Sequence, residues 1–174
     1  GTSRCVAVSP SDSAPALIAL DAQFVIQGTG GERVVDAEDF FMRPSVDIER
    51  MTILKPGELL TAIRLPTEWA GATFYYEKVE DRKAWDFALM TVASAMRISG
   101  GVIEEVRLAA NGAAPYPMRL ADSERVVRGN RPSEQLGLEA GEIAIQGAQP
   151  LRHNEFKVPL MRNLVRRAIR AAVA

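Results

Sequence analysis

Residues 90–98 alternate without a break. Met90, Val92, Ser94, Met96 and Ile98 fall on one side of an extended chain, and Thr91, Ala93, Ala95 and Arg97 on the other. A period of two sustained over this length predicts a half-buried strand. Gly100-Gly101 follows at once, and a Gly-Gly pair between two apolar runs predicts a tight hairpin. The return run puts Val106, Leu108 and Ala110 on one face and Glu105, Arg107 and Ala109 on the other. Phe74 to Val79 leads into the same unit. The expectation is three consecutive antiparallel strands with one covered face, which commits this half of the chain to a meander rather than a helical bundle.

The rest of the chain is expected to alternate short strands and helices. Cys5 to Val8 is predicted as a strand, Ala14 to Leu20 as a helix, and Gln23 to Gln27 and Glu32 to Val35 as a hairpin around Gly28-Thr29-Gly30-Gly31. Asp36 is placed to cap a short helix, Ala37 to Phe41. A further strand, Leu59 to Leu65, stops at Pro66, because proline supplies no backbone donor. Thr67 to Thr73 reads as a linker-like boundary, dividing the chain into 1–66 and 67–174. Beyond the meander, helices are predicted over Met118 to Arg128, over Glu134 to Gln146 (weakened by Gly137 and Gly141) and over Pro159 to Ala172. The last has an apolar stripe of Met161, Leu164, Val165, Ala168, Ile169 and Ala172 beside a face of Arg162, Arg166, Arg167 and Arg170.

Composition removes several classes of function. The net charge of −1 gives no electrostatic case for nucleic acid or an anionic membrane surface. One cysteine, Cys5, excludes an internal disulfide and any all-cysteine metal site built by this chain alone. His153 is the one histidine, so a zinc site is not expected, and no Gly-x-Ser-x-Gly elbow is present. No apolar run approaches ~18 residues, and no membrane helix is predicted. The cytoplasm is the expected compartment, with the periplasm as the alternative. Because the chain starts at Gly1 and almost immediately enters an apolar stretch, it reads as a segment cut from a larger domain.

The candidate chemistry lies in two places. Asp12, in the turn Ser9-Pro10-Ser11-Asp12, either caps the following helix or offers a carboxylate to the ribose or diphosphate of a cofactor. Lys78, Arg82, Trp85 and Asp86 flank one loop. They form either a solvated charged loop or a site in which the lysine stabilises negative charge and the indole stacks on a flat ring. The arginine face of the last helix is either solvated or docks on a partner subunit.

Four segments carry a resemblance: SPSDSAPALIALDA (Ser9 to Ala22), LKPGELLTAIRLP (Leu54 to Pro66), YEKVEDRKAWDFALMTVASAM (Tyr76 to Met96) and HNEFKVPLMRNLVRRAI (His153 to Ile169). In this order and spacing they resemble the FAD-binding medium subunit of the molybdenum hydroxylases, the family of carbon monoxide dehydrogenase, xanthine dehydrogenase and the aldehyde oxidoreductases. The resemblance implies an α+β fold: the C-terminal part of a vanillyl-alcohol-oxidase-type FAD-binding α/β domain (1–66), then a three-stranded antiparallel sheet with helices (67–174). It implies FAD contacts from Asp12, Leu60, Lys78, Arg82 and Trp85, with no catalytic and no metal-binding residue in this chain. It also implies that the molybdenum cofactor and two-iron two-sulfur clusters sit on large and small partner subunits, and that an N-terminal half of the FAD domain completes the cradle. The implied role is electron transfer from those clusters through FAD to an external acceptor during oxidation of an aldehyde or N-heterocycle. The alternative is a non-catalytic assembly module that binds no FAD on its own.

Overall fold

The computed structural model describes residues 5–173. Its centre is the predicted meander. Strands β4 (Thr73–Val79), β5 (Met90–Ser99) and β6 (Val102–Asn111) pair antiparallel, and a two-residue strand β7 (Met118–Arg119) adds a fourth member in the order β4-β5-β6-β7. Gly100 and Gly101 both take positive φ, 57° and 78°. That matches the two left-handed central residues of a type I′ hairpin turn, whose twist suits the flanking strands.

The sheet is covered on both faces, not one. Met90, Val92, Met96, Val106, Leu108 and Ala110 enter a core with three helices, α3 (Ala121–Val127), α4 (Glu134–Ala144) and α5 (Lys157–Arg170). Opposite them, Ala93 and Ala109 pack against α1 (Ser13–Ala19), β1 (Gln23–Gly28) and α2 (Ala37–Phe40). Thr91, Ala93 and Ala95 are 0–2% exposed. The second face is flat and alanine-rich, which lets a helix backbone lie close without displacing larger side chains.

The N-terminal part forms its own sheet, order β2-β1-β3, from β2 (Gly31–Asp36), β1 and β3 (Leu59–Arg64). Arg33 fastens the loop that enters β3. Its Nε donates to Glu58 Oε1 at 3.0 Å and its Nη2 to Glu58 Oε2 at 2.7 Å, while the Lys55 backbone N–H donates to the same carboxylate at 2.8 Å.

Several expected elements differ. Residues 6–8 form no strand; Val6 and Val8 are exposed. The segment is instead held where the Ser9 N–H donates to the Ala114 carbonyl. The helix expected from Met118 begins at Ala121, because Met118 and Arg119 pair with Ala110 and Ala109 of β6. Asp36 precedes α2 without a side-chain cap bond; its carboxylate accepts from Gln23 Nε2 instead. Thr67–Trp69 forms a 3-10 turn rather than a bare linker. Trp69 is buried there, its indole N–H donating to Asp21 Oδ2 at 3.0 Å. Gly137 and Gly141 lower helix propensity as expected, but they serve packing. A Cβ on them would stand 2.9 Å from the Arg166 carbonyl oxygen and 2.5 Å from that of Arg162, both backbone atoms of α5.

The Arg33 clamp sets a pH dependence. Its guanidinium bonds hold the Glu58 carboxyl down from the ordinary 4.5 to about 2. A depressed carboxyl contributes stability above its unfolded value and loses it as pH falls through the folded one. Chemical denaturation of wild type and Glu58→Gln should therefore show a stability difference that is constant near neutrality and shrinks as pH falls from about 4.5 to about 2. A difference independent of pH contradicts the clamp.

Candidate functional site

Helix α1 delivers Asp12 to the sheet. Lys78 of β4 stands opposite Thr91 of β5, which stands opposite Asn111 of β6. These three residues form one row on the face that α1 covers, and the turn at 9–13 lies over it. Asn111, 2% exposed, donates from Nδ2 to the Ser11 carbonyl at 2.6 Å. Tyr76, two residues from Lys78 on the same strand face, donates its hydroxyl to the Asp12 carbonyl at 3.0 Å. The turn is thereby held at its backbone from two strands.

Lys78 then fixes the side chain. Its Nζ lies 2.9 Å from Asp12 Oδ2 and 3.0 Å from Glu80 Oε2, and donates to the Asp86 carbonyl oxygen at 2.7 Å. Three acceptors match the three donors of an ammonium. The hydrogen bonds to Asp12 and then Glu80 raise the Lys78 pKa well above the ordinary lysine value, so it stays charged across the physiological range.

Asp86 shapes the loop above. Its Oδ2 accepts from the Arg82 N–H at 3.1 Å, its Oδ1 from the Phe87 N–H at 3.0 Å, and Arg82 Nη2 donates to the Trp85 carbonyl at 2.9 Å. Trp85 sits at φ 57° and is 97% exposed, with Phe87 beside it in the chain at 73%. A bulky residue in the left-handed region is strained; here the hairpin of bonds around Asp86 enforces it and turns the indole outward.

The sequence-predicted residues therefore divide. Asp12 and Lys78 meet directly, and Arg82 and Trp85 join them through Asp86. Leu60 stands apart on β3, opposite Ile26 and 38% exposed, and makes none of the cluster's contacts. Among the described residues, one cavity lies beside α4 and α5 and another between α1, α2 and Trp69; none of the five residues lines either. Sequence reasoning missed Glu80, Tyr76 and Asn111, and named Asp86 in the loop but not among the cofactor contacts. The pairing register that places Tyr76 and Asn111 beside Asp12 has no local signature, although Asp86 was visible among the charged residues of 78–86.

The cluster's charge bears on what it can hold. Three carboxylates (Asp12, Glu80, Asp86) face two cations (Lys78, Arg82). A diphosphate would add negative charge where carboxylates already predominate, and does not fit. A hydroxyl or ring N–H fits the second oxygen of Asp12, which is half exposed, and a flat ring fits the bare indole of Trp85.

The arginines of α5 are largely engaged within the chain. Arg162 bonds Glu142 at 3.2 Å, Arg166 lies 3.5 Å from Glu134, and Arg167 pairs with Glu77 of β4. Arg170 lies 4.0 Å from Glu134. That face is thus a seam between α5, α4 and β4 as well as a surface.

Comparison with known proteins agrees with this architecture. Residues 74–172 match the CO dehydrogenase flavoprotein C-terminal domain, and residues 2–68 match the FAD binding domain in molybdopterin dehydrogenase. The carbon monoxide dehydrogenase medium chain of Hydrogenophaga pseudoflava is 32% identical over 170 residues, covering 95% of this chain and 57% of that one. The aldehyde oxidoreductase FAD-binding subunit of Escherichia coli is 32% identical over 157 residues, covering 90% and 46%. Among solved structures, the Hydrogenophaga pseudoflava carbon monoxide dehydrogenase that lacks the Mo-pyranopterin moiety superposes with a TM-score of 0.83 at 30% identity, covering 93% of this chain and 56% of that one. The fold is that of a flavoprotein medium chain. This chain belongs to the FAD-binding medium-subunit family of the molybdenum hydroxylases, and it spans about half the length of the curated relatives it matches.

If Lys78 is the tether between the turn at 9–13 and the loop at 80–87, Lys78→Met should loosen both. Amide hydrogen exchange should accelerate at Arg82 and Phe87, whose N–H groups depend on Asp86, while the interior of β5 and β6 stays protected. Unchanged exchange in the 80–87 loop contradicts the tether.

Proposed function

We propose that this chain forms one wall of the FAD site in a molybdenum hydroxylase and serves the passage of electrons from iron–sulfur clusters to an external acceptor. The observation that carries this reading is the meeting of Asp12 and Lys78 beside the loop that carries the exposed Trp85, in a chain of this family. The cluster supplies hydrogen-bond acceptance and a flat apolar surface, not diphosphate binding, so the diphosphate would be held by a segment outside residues 1–174. Bound FAD would supply acceptance of single electrons in turn and release of one or two to the acceptor.

Every other part belongs to this chain's own residues. Asp12 accepts a hydrogen bond from the cofactor through the carboxylate oxygen that Lys78 does not occupy. Lys78 acts through Asp12 as a positioning residue: its ammonium is consumed by Asp12, Glu80 and the Asp86 carbonyl, so it fixes the carboxylate's direction and charge. Trp85 and Phe87, turned outward by the bonds around Asp86, offer apolar cover and limit water at the ring. Leu60 would contribute from β3, a strand whose six residues are all exposed and available to a further segment of the subunit. The cofactor wall would draw residues from both sides of residue 66. Substrate choice would rest with a large subunit carrying the molybdenum cofactor.

In the complete subunit, Asp12→Ala should weaken FAD about tenfold or more, the loss of one charge-assisted hydrogen bond of roughly 1.5–3 kcal/mol. Fluorescence titration of the apoprotein with FAD measures this. Unaltered affinity in a folded variant rejects the assignment. A subunit that binds no FAD under any condition favours the assembly module instead.

A further inference from the structure

The cavity beside α4 and α5 shares no lining residue with the Asp12–Lys78 cluster and has a volume of about 310 Å³, near the lower end of the roughly 300–1,000 Å³ typical of small-molecule sites. Most of its wall is apolar, chiefly Met90 from the start of β5, Met118 from β7 and Met161 from α5, with Tyr116, Gln146 and Gln149 adding polar edges. Into this wall projects one cation, Lys157, the first residue of α5.

Lys157 is unusually placed for a lysine. Its Nζ donates to the Gly112 carbonyl at 2.6 Å, and among the described residues it has no further partner and no carboxylate within ion-pair distance. The contrast with Lys78 is direct, since that ammonium has three acceptors and two counter-ions. Burial pulls the Lys157 pKa below the ordinary lysine value, as it must for a cation partly withdrawn from water without compensation. The neighbouring polar groups do not relieve it. Asn154 turns its Oδ1 to the Leu151 N–H at 2.6 Å, and the first turn of α5 carries no acidic side chain.

A mostly apolar pocket with one ammonium that lacks a counter-ion selects its ligand by chemistry. Two N–H donors remain to be satisfied, and a carboxylate satisfies both while restoring the charge balance. The apolar part of the wall, with Ile145 and Val158 among the methionines, suits an apolar body, and the volume limits that body to a medium-length acyl chain or a single ring. We propose that this cavity is a binding site for a small monocarboxylate with an apolar tail, anchored by Lys157. It rests on this cavity alone and stands whether or not the chain contacts FAD.

Octanoate is a suitable probe, and 1-octanol controls for the apolar tail without the charge. On the chain as it stands, titration calorimetry should show octanoate binding about tenfold or more tighter than octanol, the value of one charge-assisted contact. Labelled methionine methyls should report the place, with Met90, Met118 and Met161 shifting together. Lys157→Met should bring the two affinities level by weakening octanoate and sparing octanol; Lys157→Arg should keep the preference. Equal affinity of both probes on the wild type, no octanoate binding, a preference retained by Lys157→Met, or shifts confined to other methionines would each overturn the proposal.

Discussion

The close approach of α1 to the alanine face of the meander is the constraint on which the remaining arrangement depends. Ala93 and Ala109 face one another across β5 and β6, both 0–2% exposed, and Ile18 and Ala19 of α1 share their cluster. Large side chains at those positions would lift the helix from the sheet. Because the helix lies close, the turn that precedes it falls over the row Lys78, Thr91 and Asn111, where main-chain oxygens of Ser11 and Asp12 meet donors from β6 and β4. The position of the candidate site is thus a consequence of packing, and its ion pair is added to a turn already fixed by neutral hydrogen bonds.

Charged groups reinforce the same junction elsewhere. Arg119 of β7 forms a two-pronged bond with Glu124, which is 2% exposed, and reaches Glu38 of α2 at 3.0 Å. Glu124 also accepts from the Leu108 N–H at 2.9 Å. A buried carboxylate is costly unless paired and hydrogen-bonded, and here both conditions are met. Arg107 of β6 bonds Asp21 at 2.8 Å and lies 5.6 Å from the ring centre of Trp69. These contacts tie residues from before and after position 66 into one body. The parts on either side of the stretch at 67–73 also share one apolar cluster, in which Ala93 and Ala109 meet Ile18 and Phe24.

Much of this was legible in residue order. The alternation from Met90 to Ile98, the Gly-Gly turn and the stripe of α5 report local geometry, and local geometry is what a periodic pattern encodes. The second covered face was not read, because alanine on a strand suits either solvent or a tightly packed neighbour. The helix expected from Met118 lost its first residues to β6, since an available sheet edge overrides propensity over so short a stretch. Of the candidate site, Asp12 and Lys78 were named from the sequence and are neighbours in space. Their supports, Tyr76, Glu80 and Asn111, were not named, since their roles arise from register and from a turn about a hundred residues away in the case of Asn111 and Ser11. The lack of a counter-ion at Lys157 was equally hidden, because nothing in sequence distinguishes a lysine with counter-ions from one without.

The dependence of the site on packing is most directly tested by crowding the alanine face. Ala109→Leu adds bulk where α1 lies, at a cost of about 1–3 kcal/mol typical of overpacking, without touching Asp12, Lys78 or the loop above them. Native-state hydrogen exchange read along the whole chain should then show protection falling together in residues 13–20 and 80–87, with α4 and α5 still protected. Loss of protection in α1 while the 80–87 loop remains as in the wild type would contradict the account, because the loop would then be held by something other than the turn that α1 delivers.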